Sequence, residues 1–528
     1  MVYNSFYFVL FVCLFVLVYY AVPWKLQTFV LLLASVVFYA LQGVQYLLFI
    51  LFSTFAVFQV VKKIDHIYCR GDAEIFQVKD TALKKEIKQK IQAESRCWLF
   101  IAMFLVLGPF IILKYINFFI ANTNSFLNLL NTQYSINVLN KYLPVGISFY
   151  SFMMLGYILD VYWKRYPAEK QFINFAVFGL YFPHIVQGPI GRYNYLEQQI
   201  RSKHEFKWDT VISGAQLMIW GFFKKLVIAD RINIFVSAVY DEWTAHYGII
   251  FVIATILYSI QIYADFSGCI DIVRGTSEMF GIRLEKNFNH PYFSKSMPEF
   301  WRRWHISLNQ WFKDYLYYPV SVSGIVKKYS KKIKLERGAE SSRIFVSVVS
   351  ALIVWMVTGL WHGAEWKFVV WGIFHAILII MGIVFEIPVK RLTIFLKIKT
   401  DSFSWNLFQM VRTFILCSIG RIFFRAENIY VAFNIIKRML NRTDITVLLP
   451  GRIYGYGLNI YNFNLMLLAI AILLAVDILQ EKMSLRASLA KQQLVFRWMI
   501  IYGSLFAIII FGIYGPGYEV GSFIYNQF

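Results

Sequence analysis

The sequence predicts an all-α polytopic integral membrane protein. Of its 528 residues, 59% are hydrophobic and only 16% are charged. The apolar residues gather in long runs, such as residues 5–22, and do not alternate with polar ones. A run of about 20 apolar residues has the length at which an α-helix spans a bilayer. These observations exclude the soluble globular classes.

Comparable apolar runs recur along the chain, and each predicts a membrane helix. With less regular segments between 172 and 240, we expect about eleven to thirteen membrane segments. The clear runs are residues 5–22, 27–42, 45–61, 98–117, 142–159, 247–264, 344–361, 366–387, 404–418, 463–477 and 497–514.

The distribution of charge predicts the orientation of these helices. No Lys or Arg precedes the first run, and no small-residue cleavage site follows it, so we expect a retained helix with its amino terminus outside. The basic segments 62–96 and 326–338 are expected on the cytoplasmic side. The net charge of +22 is then explained by this bias and by anionic lipid, without nucleic acid. The five cysteines have no paired spacing, which predicts neither a disulfide framework nor a metal site.

The middle of the chain departs from clean membrane spans. Two short apolar pieces, 174–191 and 212–226, are interrupted by Pro183, Pro189 and several glycines, with basic residues on both sides of each piece. This pattern predicts segments that enter the membrane and return. Irregular backbone at membrane depth is tolerated only where protein or a water-filled cavity surrounds it, so we expect a polar cavity here.

The segment 299–312, "EFWRRWHISLNQWF", carries the first candidate site residue. Ser296 and Glu299 predict a capping box at the start of a helix. Aromatic residues then recur at helical spacing, which predicts that His305 lies on a buried aromatic face of one continuous helix. A buried imidazole is either a neutral core residue with one hydrogen bond or part of a functional site.

Two further histidines interrupt apolar runs. His362 lies at the junction of two runs, and Gly359 and Gly363 flank it, which allows another backbone or a substrate to approach closely. An ionisable residue at membrane depth indicates function, whereas a histidine in a surface turn would be structural. His375, in "WGIFHAIL", competes for the same role but lacks the flanking glycines.

Carboxylates and amides supply the remaining candidates. Asp265 and Asp271 interrupt an apolar run six residues apart. Such a pair could share a proton or bind a cation, but at this spacing the two do not stack on one helical face. We expect Asp265 to orient a histidine or to cap a broken helix. Asn287, with Asn289 and His290, forms either a polar turn before a proline or part of the site.

Six segments occur in an order that resembles the membrane-bound O-acyltransferase family. The resemblance is greatest to its bacterial branch typified by the alginate O-acetylation membrane protein, and it extends to about residue 440; residues 441–528 match less distinctly. The segments are "FPHIVQGPIGR", "YADFSG", "NFNHPY", "EFWRRWHISLNQWFKDYLY", "GLWHG" and "GRIFFRAEN".

The resemblance implies tilted and re-entrant helices around a central tunnel, with the acyl donor entering from the cytoplasm and the acceptor from outside. It divides the single domain 1–528 into N-terminal spans (1–160), a catalytic core (161–400) and C-terminal spans (401–528). The principal catalytic histidine of the family corresponds to His362, and the second polar position of the family corresponds to His305. We interpret His362 as a general base, since a neutral imidazole can take a hydroxyl proton.

The predicted reaction moves an acetyl group from a thioester, acetyl-CoA or another acyl thioester, toward an exported cell-surface polysaccharide such as alginate, with no bound cofactor. His305 would position or polarise the thioester carbonyl, and charge alone suggests Arg302 and Arg303 for donor phosphates. Trp304, Asp265, Asn287 and Trp361 complete the predicted substrate-binding set.

The resemblance further implies a multi-pass protein of the bacterial cytoplasmic membrane, in contact with membrane lipids and with an extracytoplasmic SGNH-type acetyltransferase or a polysaccharide-export partner. The alternatives are D-alanyl transfer toward teichoic acid, acylation of peptidoglycan or of a lipid and, in another class, a transporter or channel, because broken helices and buried charges also build substrate pathways.

Overall fold

A computed structural model describes residues 2–132, 134–139, 144–441, 445–449, 451–514 and 523. These residues are predominantly helical and contain no β-strand. They divide into two compact units, Met1–Ala215 with Val273–Glu285 and Gln216–Ile272 with Lys286–Phe528. The three regions inferred from the sequence stay a prediction, and most of the last region beyond residue 514 lies outside the described residues.

Nine helices among the described residues are long and apolar enough to cross a membrane. Three shorter apolar helices, Phe6–Ala21, Trp24–Ala40 and Ile147–Tyr162, accompany them. Each of the eleven clear apolar runs coincides with one of these helices, which confirms the predicted fold class. The nine are Val44–Gln77, Thr81–Leu129, Trp208–Asp241, Ile249–Met279, Gly324–His362, Trp366–Val384, Phe403–Arg425, Ile460–Gln480 and Leu494–Phe511.

The first unit contains seven complete helices and parts of two more. They are α1 (Phe6–Ala21), α2 (Trp24–Ala40), α3 (Val44–Gln77), α4 (Thr81–Leu129), α5 (Ile147–Tyr162), α6 (Phe172–Leu180) and α7 (Tyr193–Arg201), followed by the start of α8 (Trp208–Phe222) and the end of α10 (Ile249–Met279). The basic segment 62–96 is largely helical, because α3 and α4 extend beyond their apolar parts to a connection at residues 78–80. Asp80 caps α4 by accepting a hydrogen bond from the Ala82 N–H at 2.8 Å.

The piece 174–191 is the greater part of a short helix followed by irregular backbone. Helix α6 has nine residues, about half the length needed to cross a bilayer. Residues 181–191 are non-helical, and every one of them is buried. Protein groups satisfy this backbone: the N–H of Phe182 donates to Ser35 Oγ at 3.1 Å, and the carbonyl of Phe182 accepts from the hydroxyl of Tyr3 at 2.6 Å. The buried irregular backbone therefore agrees with the sequence prediction at this point.

A buried carboxylate joins α7 to the end of α5. Glu169 accepts hydrogen bonds from the Tyr193 hydroxyl, the Arg201 guanidinium and the N–H of Gln171, while its own N–H donates to the Tyr157 hydroxyl. Burial alone would raise the pKa of Glu169, but these donors together hold it below its ordinary value.

The second unit holds the remaining helices. They are α9 (Asp230–Asp241), α11 (Met297–Arg303), α12 (Ile306–Phe312), α13 (Tyr318–Ser321), α14 (Gly324–His362), α15 (Trp366–Val384), α16 (Glu386–Phe395), α17 (Phe403–Arg425), α18 (Ile429–Asn441), α19 (Ile460–Gln480), α20 (Leu485–Ala490) and α21 (Leu494–Phe511), with the rest of α8 and most of α10. Two π-helical turns (Phe223–Ala229 and Lys313–Tyr317) and four 3₁₀ turns (Trp243–Ala245, Pro291–Phe293, Ile445–Leu448 and Arg452–Gly455) complete it. Within α14, Gly338 has φ 87° and breaks the helix into two parts.

The second interrupted piece, 212–226, differs from its sequence prediction. It lies within the continuous helical segment Trp208–Asp241, in which the π turn joins α8 to α9. The glycine that suggested an interruption instead allows close packing. A Cβ at Gly221 would lie 2.6 Å from the carbonyl oxygen of Gly268 on α10, so only glycine fits at this contact.

The π turn carries two adjacent buried lysines, and each has its own carboxylate partners. Lys224 Nζ lies 2.6 Å from Asp271 Oδ2, and Lys225 Nζ lies 2.7 Å from Asp265 Oδ1 and 2.9 Å from Asp230 Oδ1. Buried charges at membrane depth are stable only when paired in this way. The two aspartates of the "YADFSG" region, Asp265 and Asp271, thus pair with different lysines.

Candidate functional site

His305 lies in a break between two short helices and not in one continuous helix. Half of the capping box predicted for the start of α11 is present, since Ser296 Oγ accepts from the N–H of Glu299 at 3.3 Å, whereas the Glu299 carboxylate accepts from the N–H of Lys295, one residue before the position that a capping box uses. The helix ends at Arg303, however, and His305 has φ 48°, in the left-handed region, before α12 begins. The predicted continuous helix is therefore wrong here. A non-glycine residue with positive φ is uncommon, and such residues concentrate at functional sites.

Asn287 holds this break in place. Its side-chain oxygen accepts from the N–H and the Oγ of Ser307, both at 2.9 Å, and lies 3.4 Å from Nδ1 of His305. Its carbonyl oxygen also accepts from the N–H of Ile306 at 3.0 Å. Because an acceptor faces Nδ1, the favoured tautomer of His305 carries its proton on Nδ1 and presents a lone pair at Nε2. Burial lowers the pKa of His305 to about 3, which keeps the ring neutral.

His362 is the last residue of α14, where α14 and α15 approach most closely. A Cβ at Gly359 would lie 2.4 Å from the carbonyl oxygen of Phe368, and a Cβ at Gly372 would lie 2.4 Å from that of Trp355. Gly359 therefore lets the backbone of α15 approach α14 closely, as small residues do between membrane helices. Gly363 faces the Phe368 ring in the same way, with 2.2 Å from a Cβ to the nearest ring atom.

All three candidate histidines line one cavity in the second unit, which is narrow, with a volume of about 30 Å³. Trp361, although not a lining residue, packs edge-on against both His305 and His362, with ring centroids 6.0 and 4.9 Å away. No acidic side chain lines the described part of the cavity. The lining residues are Ile262, Phe300, Trp301, Trp304, His305, Leu308, Asn309, Thr358, His362, Trp371, His375, Cys417, Arg421 and Phe424.

His375 lies in a box of tryptophans beside His362. Trp371 packs edge-on against both imidazoles, with centroid distances of 4.9 Å to His362 and 4.8 Å to His375. Trp301 and Trp355 close the box at 5.0 and 5.4 Å. Nδ1 of His375 is buried, and no described residue within hydrogen-bonding distance pairs with it. His375, which lacks flanking glycines, therefore belongs to the same cavity as His305 and His362.

Five of the six predicted substrate-binding residues do not line the cavity, namely Arg302, Arg303, Asp265, Asn287 and Trp361. Arg302 is exposed, and Arg303 forms ion pairs with Glu299 at 3.1 Å and Glu481 at 2.6 Å. Asp265 is held by Lys225, as described above. Of the predicted set, Trp304 does line the cavity. Asn287 contacts Nδ1 of His305 and so supports the site.

Sequence reasoning missed two residues that complete the surroundings of the site. Arg421 lines the cavity, and the available signal was an arginine within the apolar part of "FILCSIGRIFF". Asp477, on α19, lies 3.1 Å from Nδ1 of His290 and accepts from the Tyr263 hydroxyl at 2.8 Å. The region 441–528 therefore supports two of the recognised segments.

The family comparison agrees with these features. The sequence model of the membrane-bound O-acyltransferase family matches residues 46–333, which is more than half of the chain. The chain belongs to the membrane-bound O-acyltransferase family. The family prediction is confirmed, and the protein is a multi-pass membrane O-acyltransferase, which sets aside the transporter alternative.

The names of individual relatives state several different activities. The chain is 31% identical over 463 residues to the "Probable alginate O-acetylase AlgI" of Pseudomonas aeruginosa, covering 84% of this chain and 77% of that protein. It is 26% identical to the "Peptidoglycan O-acetyltransferase" of Helicobacter pylori, with 83% and 78% covered. It is 29% identical to the "Teichoic acid D-alanyltransferase" of Bacillus subtilis, with 44% and 57% covered.

Proposed function

We propose that this membrane-bound O-acyltransferase moves an acetyl group from a cytoplasmic thioester, acetyl-CoA, toward a hydroxyl group of an exported cell-surface polysaccharide. The observation that supports the proposal is that His362 and His305 line one cavity together with several aromatic side chains. A site that excludes bulk water protects a thioester from hydrolysis and strengthens every polar interaction inside it.

His362 is the general base of the proposed reaction. Its imidazole takes the proton of the acceptor hydroxyl as the oxygen attacks the thioester carbonyl. His305 has a different part from the one predicted from the sequence. With the proton on Nδ1, its Nε2 is an acceptor and does not donate to the thioester carbonyl, so in this scheme it orients the acceptor sugar through a hydroxyl other than the attacking one. Trp361 packs against both rings and supports their orientation.

The size of the cavity favours a small acyl group. A volume of about 30 Å³ is enough for one or two water molecules or for a two-carbon acyl group, but a long fatty chain would require extensive displacement of the lining. The relatives of Pseudomonas aeruginosa and Helicobacter pylori are both named for O-acetylation. These two observations support acetyl over longer acyl groups.

A partner protein is part of the proposal. In this scheme the enzyme lies in the bacterial cytoplasmic membrane and contacts membrane lipids, and an extracytoplasmic SGNH-type acetyltransferase, or a polysaccharide-export protein, receives the acetyl group and delivers it to the polymer. The relatives named for alginate acetylation support a role in polysaccharide biosynthesis. Neither nucleic acid nor a bound cofactor takes part in this scheme.

The test is thiol release from acetyl-CoA by the purified protein in lipid, with acceptor carbohydrate and partner protein added in turn. We expect release by the wild type and a loss of about 10²–10⁴-fold in His362→Ala. His246→Ala is the matched control, because this histidine belongs to the same unit but does not line the cavity. Release that is equal in wild type and His362→Ala would refute the base assignment. Release from another acyl thioester only would refute the choice of acetyl.

A further inference from the structure

Arg421 is a buried cation without an acidic partner. It lies on α17, its side chain is 5% exposed, and it forms no ion pair with any Asp or Glu of the described residues. Burying a guanidinium without a counter-charge is costly, and in membrane proteins such a residue generally serves a function. We therefore expect its negative counter-charge to come from a molecule that enters the cavity.

Three aromatic rings pack against the guanidinium of Arg421. Its Cζ lies 4.8 Å from the ring centroid of Trp304, 5.2 Å from that of Tyr292 and 5.7 Å from that of Phe300. These cation–π contacts stabilise the charge but leave it without a counter-ion. The guanidinium is thus fixed in position before any substrate binds.

The hydrogen bonds of Arg421 use one of its three nitrogens. Nη1 donates to the Tyr292 hydroxyl at 2.7 Å and approaches the carbonyl oxygen of Ser259 at 3.5 Å. Within the described part of the chain, Nη2 and Nε donate to no protein acceptor. Since Arg421 also lines the cavity of the three histidines, donors remain for a ligand there.

We propose that Arg421 stabilises the oxyanion that forms when the acceptor hydroxyl attacks the thioester carbonyl. The inference rests on the acyl-transfer function proposed above. In this step the C–O bond forms, the carbonyl electron pair moves to oxygen, and His362 takes the hydroxyl proton. When the C–S bond breaks, its electron pair leaves with sulfur, and the imidazolium returns the proton to give the free thiol. Arg421 donates to the oxyanion through Nη2 or Nε until the carbonyl re-forms.

One feature favours this role over the capture of a substrate phosphate. The favoured tautomer of His305 has no proton to donate at Nε2, so the developing negative charge needs another donor. Arg421 is the cavity-lining residue with a permanent positive charge.

The test measures kcat and KM for thiol release from acetyl-CoA by wild type, Arg421→Gln and Arg421→Lys in lipid. We expect Arg421→Gln to lower kcat by about 10²–10³-fold with KM for acetyl-CoA nearly unchanged, because the interaction exists only in the transition state. Arg421→Lys should restore part of the rate. In Arg421→Ala, added guanidinium ion should restore turnover along a saturable curve, which a purely structural role would not allow.

Arg425→Gln is the matched control on the same helix, since Arg425 pairs with Asp241 at 2.8 Å and does not line the cavity. Unchanged kcat in Arg421→Gln would overturn the inference. So would an increase in KM alone, or a loss that neither lysine nor guanidinium reverses in a protein that unfolds at the wild-type temperature. Absence of His362-dependent release in the wild type would instead contradict the proposed function, so the two failures can be told apart.

Discussion

Ser307 donates two hydrogen bonds to the side-chain oxygen of Asn287, one from its backbone N–H and one from its hydroxyl, each at 2.9 Å. The two residues are 20 positions apart in the sequence, and together they fix the break that carries His305. An amide oxygen buried among three donors is therefore a structural requirement for the position of a candidate site residue.

Asn287→Ala should destabilise the protein and slow the reaction. Without the amide oxygen, the buried donors of Ser307 lose their acceptor, which costs about 1–3 kcal/mol. Displacing His305 by about 1 Å could lower turnover by about 10²-fold. Thermal unfolding and thiol release measure the two effects. Asn434→Ala, whose side chain bonds only within α18, should change neither. Equal stability and turnover in wild type and Asn287→Ala would show that Asn287 does not support the break.

Substitutions of His305 can separate its backbone conformation from its side chain. Asparagine tolerates the left-handed conformation, so His305→Asn should lose only the stability that comes from packing of the buried ring. A β-branched residue is also strained at φ 48°, and His305→Val should lose about 1–3 kcal/mol more than His305→Asn. Both should lower turnover if the imidazole positions the acceptor sugar. Full activity of His305→Asn would show that the side chain has no part in the reaction.

The crossing of α14 and α15 depends on Gly359 and Gly372. An added methyl group at either position would meet a backbone carbonyl at 2.4 Å, so Gly359→Ala and Gly372→Ala should each cost about 1–3 kcal/mol. Each should also reduce turnover, because the crossing places His362 beside Trp371. Gly382→Ala is the control on α15, where a Cβ meets nothing within 4 Å. The prediction fails if all three variants unfold at the same temperature.

These residues also show what the sequence could and could not predict. The eleven clear apolar runs are a local property, and each was predicted correctly as a helix, whereas the helical segment Trp208–Asp241 was not. The break at His305 depends on hydrogen bonds to Asn287, which lies 18 residues away, and the helical spacing of the aromatics across the break concealed it. Likewise, the roles of Gly359 and Arg421 depend on which helices meet. His362 was identifiable because a polar residue within apolar sequence is conspicuous. By the same reasoning Arg421 could have been identified.

Lys225 and Asp265 allow a test of whether Asp265 binds substrate or stabilises the fold. Their side chains are 2.7 Å apart and almost fully buried. Lys225→Met should therefore cost about 3–5 kcal/mol, because it leaves Asp265 and Asp230 without their buried cation. Lys225→Met combined with Asp265→Asn should be less destabilised than the sum of the single variants. Lys327→Met, at an exposed lysine, is the control.

Kinetics complete the test of Asp265. If its role is to pair with Lys225, Asp265→Asn should lower the unfolding temperature and leave KM for acetyl-CoA unchanged in the fraction that remains folded. A raised KM with unaltered stability would instead support the substrate-binding role predicted from the sequence.

The network around Glu169 predicts a specific pH dependence of stability. Because hydrogen bonds from Tyr193, Gln171 and Arg201 hold the pKa of Glu169 below its ordinary value, the folded state binds this proton more weakly than the unfolded state. The stabilisation is therefore fully present above about pH 4.5, the ordinary pKa of a glutamate. It is lost as the pH falls through the lower pKa of the folded state.

Glu169→Gln should unfold at a lower temperature than the wild type at pH 7, and the difference should shrink below pH 4.5. Glu86→Gln, on an exposed part of α4, matches the change in charge and should not reproduce this convergence. A difference between wild type and Glu169→Gln that stays constant from pH 7 to pH 3 would mean that packing, and not the carboxylate charge, is what Glu169 contributes.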